Sequence, residues 1–184
     1  FPRIDLFDRV VAENGAVLYR PETREEKVLA EAPSPGFVAE LRRRGVDPIA
    51  VGRAIVATWE PHRESVLAAI RALGLDLHVI GNKRAIMVLP AGVDKATGLA
   101  AALDELGLAP RDVVGIGDAE NDCAFLASCG LGVAVANALP ALQERADLVT
   151  QAGHGAGVVE LIARMLDDAL PAPRPRPGPP APGP

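Results

Sequence analysis

From Asp94 onward the sequence alternates in a way that few folds can use. Helix-length segments at Asp94–Leu106, Ala119–Ser128, Leu139–Arg145 and Ala156–Leu166 are separated by three short runs, Val113–Ile116, Gly132–Ala136 and Leu148–Thr150, that are almost wholly apolar. A strand without a polar face has no side to give to water. It belongs in a parallel sheet covered by helices on both faces. Gly107 and Gly130 close two of the helices, as residues just past a helix end often do. The expectation for this half is an open α/β sheet, whose ligands bind beyond the carboxyl ends of the strands.

The first half follows a different pattern. A short strand at Arg9–Ala12 leads into Glu13-Asn14-Gly15, whose Asn-Gly pair supplies the positive φ angles of a tight turn, and a second strand spans Ala16–Tyr19. A helix at Pro35–Arg44 stops at Gly45, and Ile49–Thr58 is β-rich. Pro61 suits the first turn of a helix running to Leu73 and closed by Gly74. Asp76–Ile80 and Ala85–Leu89 read as strands joined by Gly81-Asn82-Lys83. This is a compact α+β module. Pro171 to Pro184 holds almost only Pro, Ala, Gly and Arg, and is expected to be an extended, mobile tail.

Bulk composition narrows the classes further. The chain has 184 residues, enough for one sizeable core with a smaller unit attached. Aromatic residues are 3% of it, so Ala, Val, Leu and Ile must fill the interior. A net charge of -5 argues against a nucleic-acid surface, which needs clustered positive charge. The one basic cluster, Arg42-Arg43-Arg44, ends a helix and complements its dipole. Cys123 and Cys129 offer neither a disulfide framework nor metal-ligand spacing. No apolar run of about 18 residues suggests a membrane span, and no signal peptide is evident. A cytoplasmic, reducing setting is the simplest expectation. The chain starts at Phe1-Pro2 without Met, as a fragment or a processed product would.

The chemistry concentrates at Gly117-Asp118-Ala119-Glu120-Asn121-Asp122. Gly117 allows a tight turn out of the strand Val113–Ile116. Asp118 is placed to cap the next helix, and Asp122, four residues on, can share its crevice. Clustered carboxylates repel unless a cation neutralises them, and hard oxygen ligands suit Mg²⁺. A decorated helix cap is the plainer alternative. Lys95 opens a helix, where its charge opposes the dipole, and a phosphate or the acidic crevice would give it a purpose. Asn137 is expected to cap the helix at Leu139 and is a candidate donor to the same crevice. Gly153-His154-Gly155-Ala156-Gly157 is glycine-rich but matches no dinucleotide or P-loop fingerprint. His62, His78 and His154 have no metal-type spacing and read as structural or solvent-facing.

Taken together these segments resemble the haloacid dehalogenase-like (HAD) phosphatases, closest to their Cof-type, subfamily IIB branch. The matching residues are Ala12-Glu13-Asn14-Gly15-Ala16, Gly92-Val93-Asp94-Lys95-Ala96-Thr97-Gly98-Leu99, Gly117 to Asp122, and Gly130-Leu131-Gly132-Val133-Ala134-Val135-Ala136-Asn137-Ala138. They fall in the family's order between Val10 and Leu166. The resemblance implies a partial doubly wound, Rossmann-like core with an inserted α+β cap. Residues 1–15 would lead from core to cap, 16–82 would form the cap, 83–170 the C-terminal part of the core and 171–184 the tail. Lys95 would contact the phosphoryl group, Asp118 would ligate Mg²⁺, and Asp122 would support the site and pair with Lys95. Asn121 and Asn137 are further candidates for the phosphate site. The implied function is a Mg²⁺-dependent phosphatase acting on a small phosphorylated metabolite, such as a sugar phosphate or phosphoglycolate.

One family element has no counterpart. The family's nucleophile is the first Asp of Asp-x-Asp-Gly-Thr, and Asp5-Leu6-Phe7-Asp8 lacks the Gly-Thr. Phosphoryl transfer through an aspartate needs that carboxylate. These 184 residues alone are therefore expected to be inactive and to leave strand edges bare. A catalytically silent phosphate- and metal-binding or interaction module, and a nucleotide-binding α/β domain, are the alternatives.

Overall fold

A computed structural model describes residues 3–172. In chain order the elements are β1 (Val10–Ala12), β2 (Val17–Arg20), β3 (Glu25–Val28), α1 (Pro35–Arg43), β4 (Ala50–Val51), β5 (Val56–Trp59), α2 (Arg63–Leu73), β6 (Leu77–Asn82), β7 (Ala85–Pro90), α3 (Lys95–Leu106), β8 (Val114–Gly117), α4 (Cys123–Ser128), β9 (Leu131–Ala134), α5 (Pro140–Arg145), β10 (Leu148–Val149) and α6 (His154–Leu166).

The apolar strands of the second half pair in parallel, in the order β10-β9-β8. Side-chain alternation along β9 explains the two-sided cover. Leu131 and Val133 face one way and pack with Leu161 of α6. Ala134 belongs to a second cluster with Leu126 of α4 and Leu142 of α5. Val133 and Ala134 are fully buried, as a central strand of such a sheet requires. β8 pairs only with β9, so its other edge has no strand partner among the described residues.

The second sheet is antiparallel, in the order β4-β5-β7-β6, with α1 and α2 on one face. Phe37 and Leu41 of α1 and Val66 and Ile70 of α2 meet Val56, Ile86 and Val88 of the strands. The two helices therefore bury their apolar stripes against the sheet. The basic end of α1 is neutralised locally, since Glu40 bonds both Arg43 and Arg44. α2 begins at Arg63, two residues later than Pro61 led us to expect, and Gly74 closes it with φ 61°. The division expected at 82/83 falls in the turn of the β6–β7 hairpin, and β7 pairs with both β5 and β6. We propose that the cap runs on through Pro90.

The third sheet, β1-β2-β3, packs on α3. β3 was not anticipated, because Glu25-Glu26-Lys27-Val28 has no apolar alternation and every residue is exposed. Pairing with β2 and a charge cluster hold it instead. Glu105 of α3 accepts from Arg9 at 2.9 Å and from Arg20 at 2.6 Å, with Lys27 at 3.5 Å. The hydrogen bond from Arg20 is the main cause that holds the Glu105 carboxyl down at about 2, well below the usual range.

No helix among the described residues is long and apolar enough to cross a membrane. The expected Pro-rich tail lies, beyond Ala172, outside the described residues.

Candidate functional site

Two helix starts and one strand end converge here. At the first helix start, Asp94 caps α3: its Oδ1 accepts from the main-chain N–H groups of Ala96 and Thr97 at 2.8 and 2.9 Å, and Thr97 Oγ1 accepts from the Asp94 N–H. This capping box satisfies donors that a helix start leaves open. It also fixes Lys95 as the first helical residue. The Lys95 ammonium donates to Asp122 Oδ1, so the charge that looked misplaced on the helix is paired across the crevice.

Asp122 is the organising acid. Its side chain is 5% exposed, and its second oxygen accepts from the main-chain N–H groups of Asp118 and Ala119 at 2.8 and 3.0 Å. Asp118 is expected to cap the helix that follows. The direction is reversed: Asp122 reaches back to hold the main chain around Asp118. Only glycine fits at position 117, because a Cβ there would lie 2.6 Å from the Cβ of Asp122. The Asp118 carbonyl then accepts from Leu139 N–H, which ties this loop to the start of α5. Fastened by its main chain, Asp118 leaves its carboxylate 42% exposed, with Lys83 Nζ at 3.5 Å.

The other candidates lie nearby in different roles. Asn137 does not cap α5, whose N-cap is Leu139. Its Oδ1 accepts from His154 N–H at 2.6 Å, so it closes the start of α6 from a neighbouring loop. Asn121 points its Nδ2 to Asn14 Oδ1 at 2.9 Å. The remaining amide atoms, Asn14 Nδ2 and Asn121 Oδ1, are buried without a hydrogen-bond partner. Lys95, Asp118, Asp122, Asn137 and His154 line one cleft of about 420 Å³, with Phe125 and Val135 on its apolar wall. His154 is expected to be structural or solvent-facing. It is exposed, and it also belongs to this cleft.

Glu13-Asn14-Gly15 is the tight turn that its Asn-Gly pair implies, and its contacts reach further than a turn requires. All three residues have positive φ, at 48°, 55° and 113°. The Glu13 carboxylate leaves the loop toward the cap and accepts from the main-chain N–H groups of Arg53, Ala54 and Ile55 at 2.8 to 3.1 Å. Asn14 bonds Asn121 beside the acids. Gly15 lies against the start of α3, where a Cβ would come 1.8 Å from the Asp94 carbonyl oxygen. Three adjacent residues thus touch the cap, the acidic corner and the helix that carries Lys95.

Among the described residues no group of three His, Cys, Asp or Glu side chains forms a metal cage. Of the two acids that line the cleft, Asp122 is engaged on both oxygens, which leaves Asp118 open to a cation. One exposed carboxylate fits Mg²⁺, which keeps several waters and shares itself with a substrate phosphate, and does not fit an all-protein cage.

Residues 56–162 match the model of a family described as haloacid dehalogenase-like hydrolase. A phosphoglycolate phosphatase from Methanothermobacter thermautotrophicus is 36% identical over 164 residues, covering 85% of this chain and 72% of that protein. A haloacid dehalogenase-like hydrolase from Bacteroides thetaiotaomicron superposes with a TM-score of 0.70 at 20% identity, over 85% of this chain and 76% of that one. A solved sugar phosphatase of subclass IIB gives 0.72 at 17% identity, over 90% and 78%. At those identities the structures speak for the fold, and the sequence matches carry the family. With the parallel sheet, the four-stranded antiparallel sheet and the Lys95–Asp122 pair at the strand end, they make this chain a member of the haloacid dehalogenase-like hydrolases.

Proposed function

We propose that this chain carries the charge-stabilising side of a phosphatase site for a small phosphorylated metabolite. A phosphorylated two-carbon acid is the first candidate and a sugar phosphate the second. The Lys95–Asp122 pair beside Asp118 carries the reading. A lysine held by a buried acid presents positive charge at a fixed point, as a transferring phosphoryl group requires. The name of the Methanothermobacter relative, a phosphoglycolate phosphatase, supports the substrate class.

Asp118 would hold Mg²⁺, which when bound neutralises phosphoryl charge and polarises the P–O bond. Lys95 would bind a phosphoryl oxygen, with Asp122 fixing the direction of its ammonium. Asn137 braces the loop at His154, and the open face of that loop would border the phosphate. Asn121 would act on the site through Asn14, by positioning the acidic corner. The apolar wall of Phe125 and Val135 lowers the local dielectric, which strengthens each of these interactions.

No carboxylate in this cleft is free to attack phosphorus, because Asp122 is engaged on both oxygens and Asp118 is assigned to the metal. We expect the 184 residues alone to release little phosphate from 2-phosphoglycolate with Mg²⁺. Substantial turnover would sink the view that the attacking group lies elsewhere. A polypeptide extended with an Asp-x-Asp-Gly-Thr segment should hydrolyse phosphate esters. If it stays inactive across a broad panel, the enzyme reading gives way to a silent phosphate- and metal-binding module.

A further inference from the structure

Lys83 stands apart from the groups assigned so far. It occupies the turn between β6 and β7, at φ 56°, so the backbone itself is bent to present it. β6 lies against the turn Glu120–Asp122, which brings the hairpin tip over the acidic corner. There Lys83 Nζ approaches Asp118 Oδ2 at 3.5 Å. The pair is a poor candidate for a structural link. Its side chains are 69% and 42% exposed, and exposed ion pairs contribute little to stability. The tip is supported independently of that contact. Glu60 N–H donates to the Arg84 carbonyl at 3.0 Å, and Arg63, itself paired to Glu60 at 2.8 Å, lies beside Gly81.

Two lysines thus reach one acidic turn from two folding units. Lys95 comes from the core helix and takes Asp122, while Lys83 comes from the cap and takes Asp118. Their environments differ. Lys95 is bound to an acid that the fold keeps engaged, but the partner of Lys83 is the acid best placed to hold a divalent ion. A cation on Asp118 and the Lys83 ammonium cannot share that carboxylate at low cost, because like charges a few ångströms apart repel.

We propose that Lys83 is a specificity-determining residue that occupies Asp118 in the metal-free site and, once a divalent cation takes that acid, binds a second anionic group on the substrate, a carboxylate at the end away from the phosphoryl group. This inference rests on the reading of Asp118 as the metal-holding acid. It selects phosphorylated acids over neutral phosphorylated sugars, and it places the selecting charge on the cap.

The test is calorimetric and needs no turnover. Mg²⁺ is titrated into the wild type, Lys83→Met and Asp118→Asn. Then 3-phosphonopropionate, which carries a carboxylate, and ethylphosphonate, which does not, are titrated at saturating Mg²⁺. Asp118→Asn should lose Mg²⁺ binding, and Lys83→Met should bind Mg²⁺ about two- to fivefold more tightly, the scale of an exposed pair. Lys83→Met should also bind 3-phosphonopropionate about three- to tenfold more weakly, with ethylphosphonate unchanged and Lys83→Arg restoring the preference. Mg²⁺ binding that survives Asp118→Asn, or is absent in the wild type, overturns the site reading and the inference with it. Loss in Asp118→Asn alone, with Lys83→Met like the wild type, overturns only the inference. So does equal weakening of both phosphonates, or a wild type that does not prefer the carboxylate-bearing one.

Discussion

The Lys95 ammonium and the Asp122 carboxylate are joined across the crevice, and the second Asp122 oxygen holds the main chain of Asp118 and Ala119. One side chain therefore sets both the direction of the lysine and the position of the neighbouring acid. Asp122→Asn keeps the shape and removes the charge, and should destabilise the fold by about 1–3 kcal/mol, since Lys95 stays partly solvated. Asp122→Ala should cost more, because two main-chain donors also lose their acceptor. Urea midpoints rank the variants. Equal midpoints for Asn and Ala would contradict the dual role.

Glu105 predicts an acid-sensitive seam. Its carboxyl ordinarily titrates near 4.5 and is held at about 2 in the fold, chiefly by Arg20. A depressed value means that the folded state favours the ionised form. The stabilisation is then complete above pH 4.5 and is lost as pH falls toward 2. The stability deficit of Glu105→Gln should be full at neutral pH and shrink through that window. A deficit that does not vary with pH would mean the cluster acts by packing alone.

Gly98 lies inside α3, where alanine usually stabilises a helix by about 1 kcal/mol. Here a Cβ would lie 2.5 Å from Val11 Cγ1 and 2.6 Å from Gly15 Cα. Main-chain atoms yield poorly, so Gly98→Ala should destabilise by about 1–3 kcal/mol. A thermal melt reads the sign. A rise in melting temperature would show that β1 can shift away from α3.

Glu13→Gln should loosen the cap without unfolding it. A carboxylate that accepts three main-chain bonds holds them more tightly than an amide with one acceptor oxygen. Hydrogen exchange at Arg53, Ala54 and Ile55 should speed up, while exchange in β9 stays slow. Unchanged protection at those three amides would remove Glu13 as the tie between cap and core.

The readability of this chain follows from what each element depends on. β8, β9 and the helices around them were visible because burial on both faces writes itself as apolar runs. β3 was invisible, since its four exposed residues are held by pairing and by Glu105, and neither leaves a local pattern. The pairing of Lys95 with Asp122 came from the family resemblance, and that Lys95 needed a partner came from the helix dipole. The direction of Asp122, reaching back toward Asp118, needed coordinates, because one sequence spacing serves both directions. Asn137 misled for the same reason: it caps a helix, but one that begins 17 residues later. Lys83 carried no signal, because a turn lysine is ordinary until its hairpin is placed over an acid.

The loop Glu13-Asn14-Gly15 has a consequence for motion. Its three residues grip three different parts of the molecule, so a rearrangement of its backbone disturbs all three contacts at once. The cap strand edge near Ala54, the acids at the end of β8 and the start of α3 should therefore open as a single cooperative unit. Protection against exchange would fall in all three together, with one shared opening free energy. In such a molecule the cap is no independent lid. Its position and the aim of Lys95 are two readings of the same small piece of left-handed backbone.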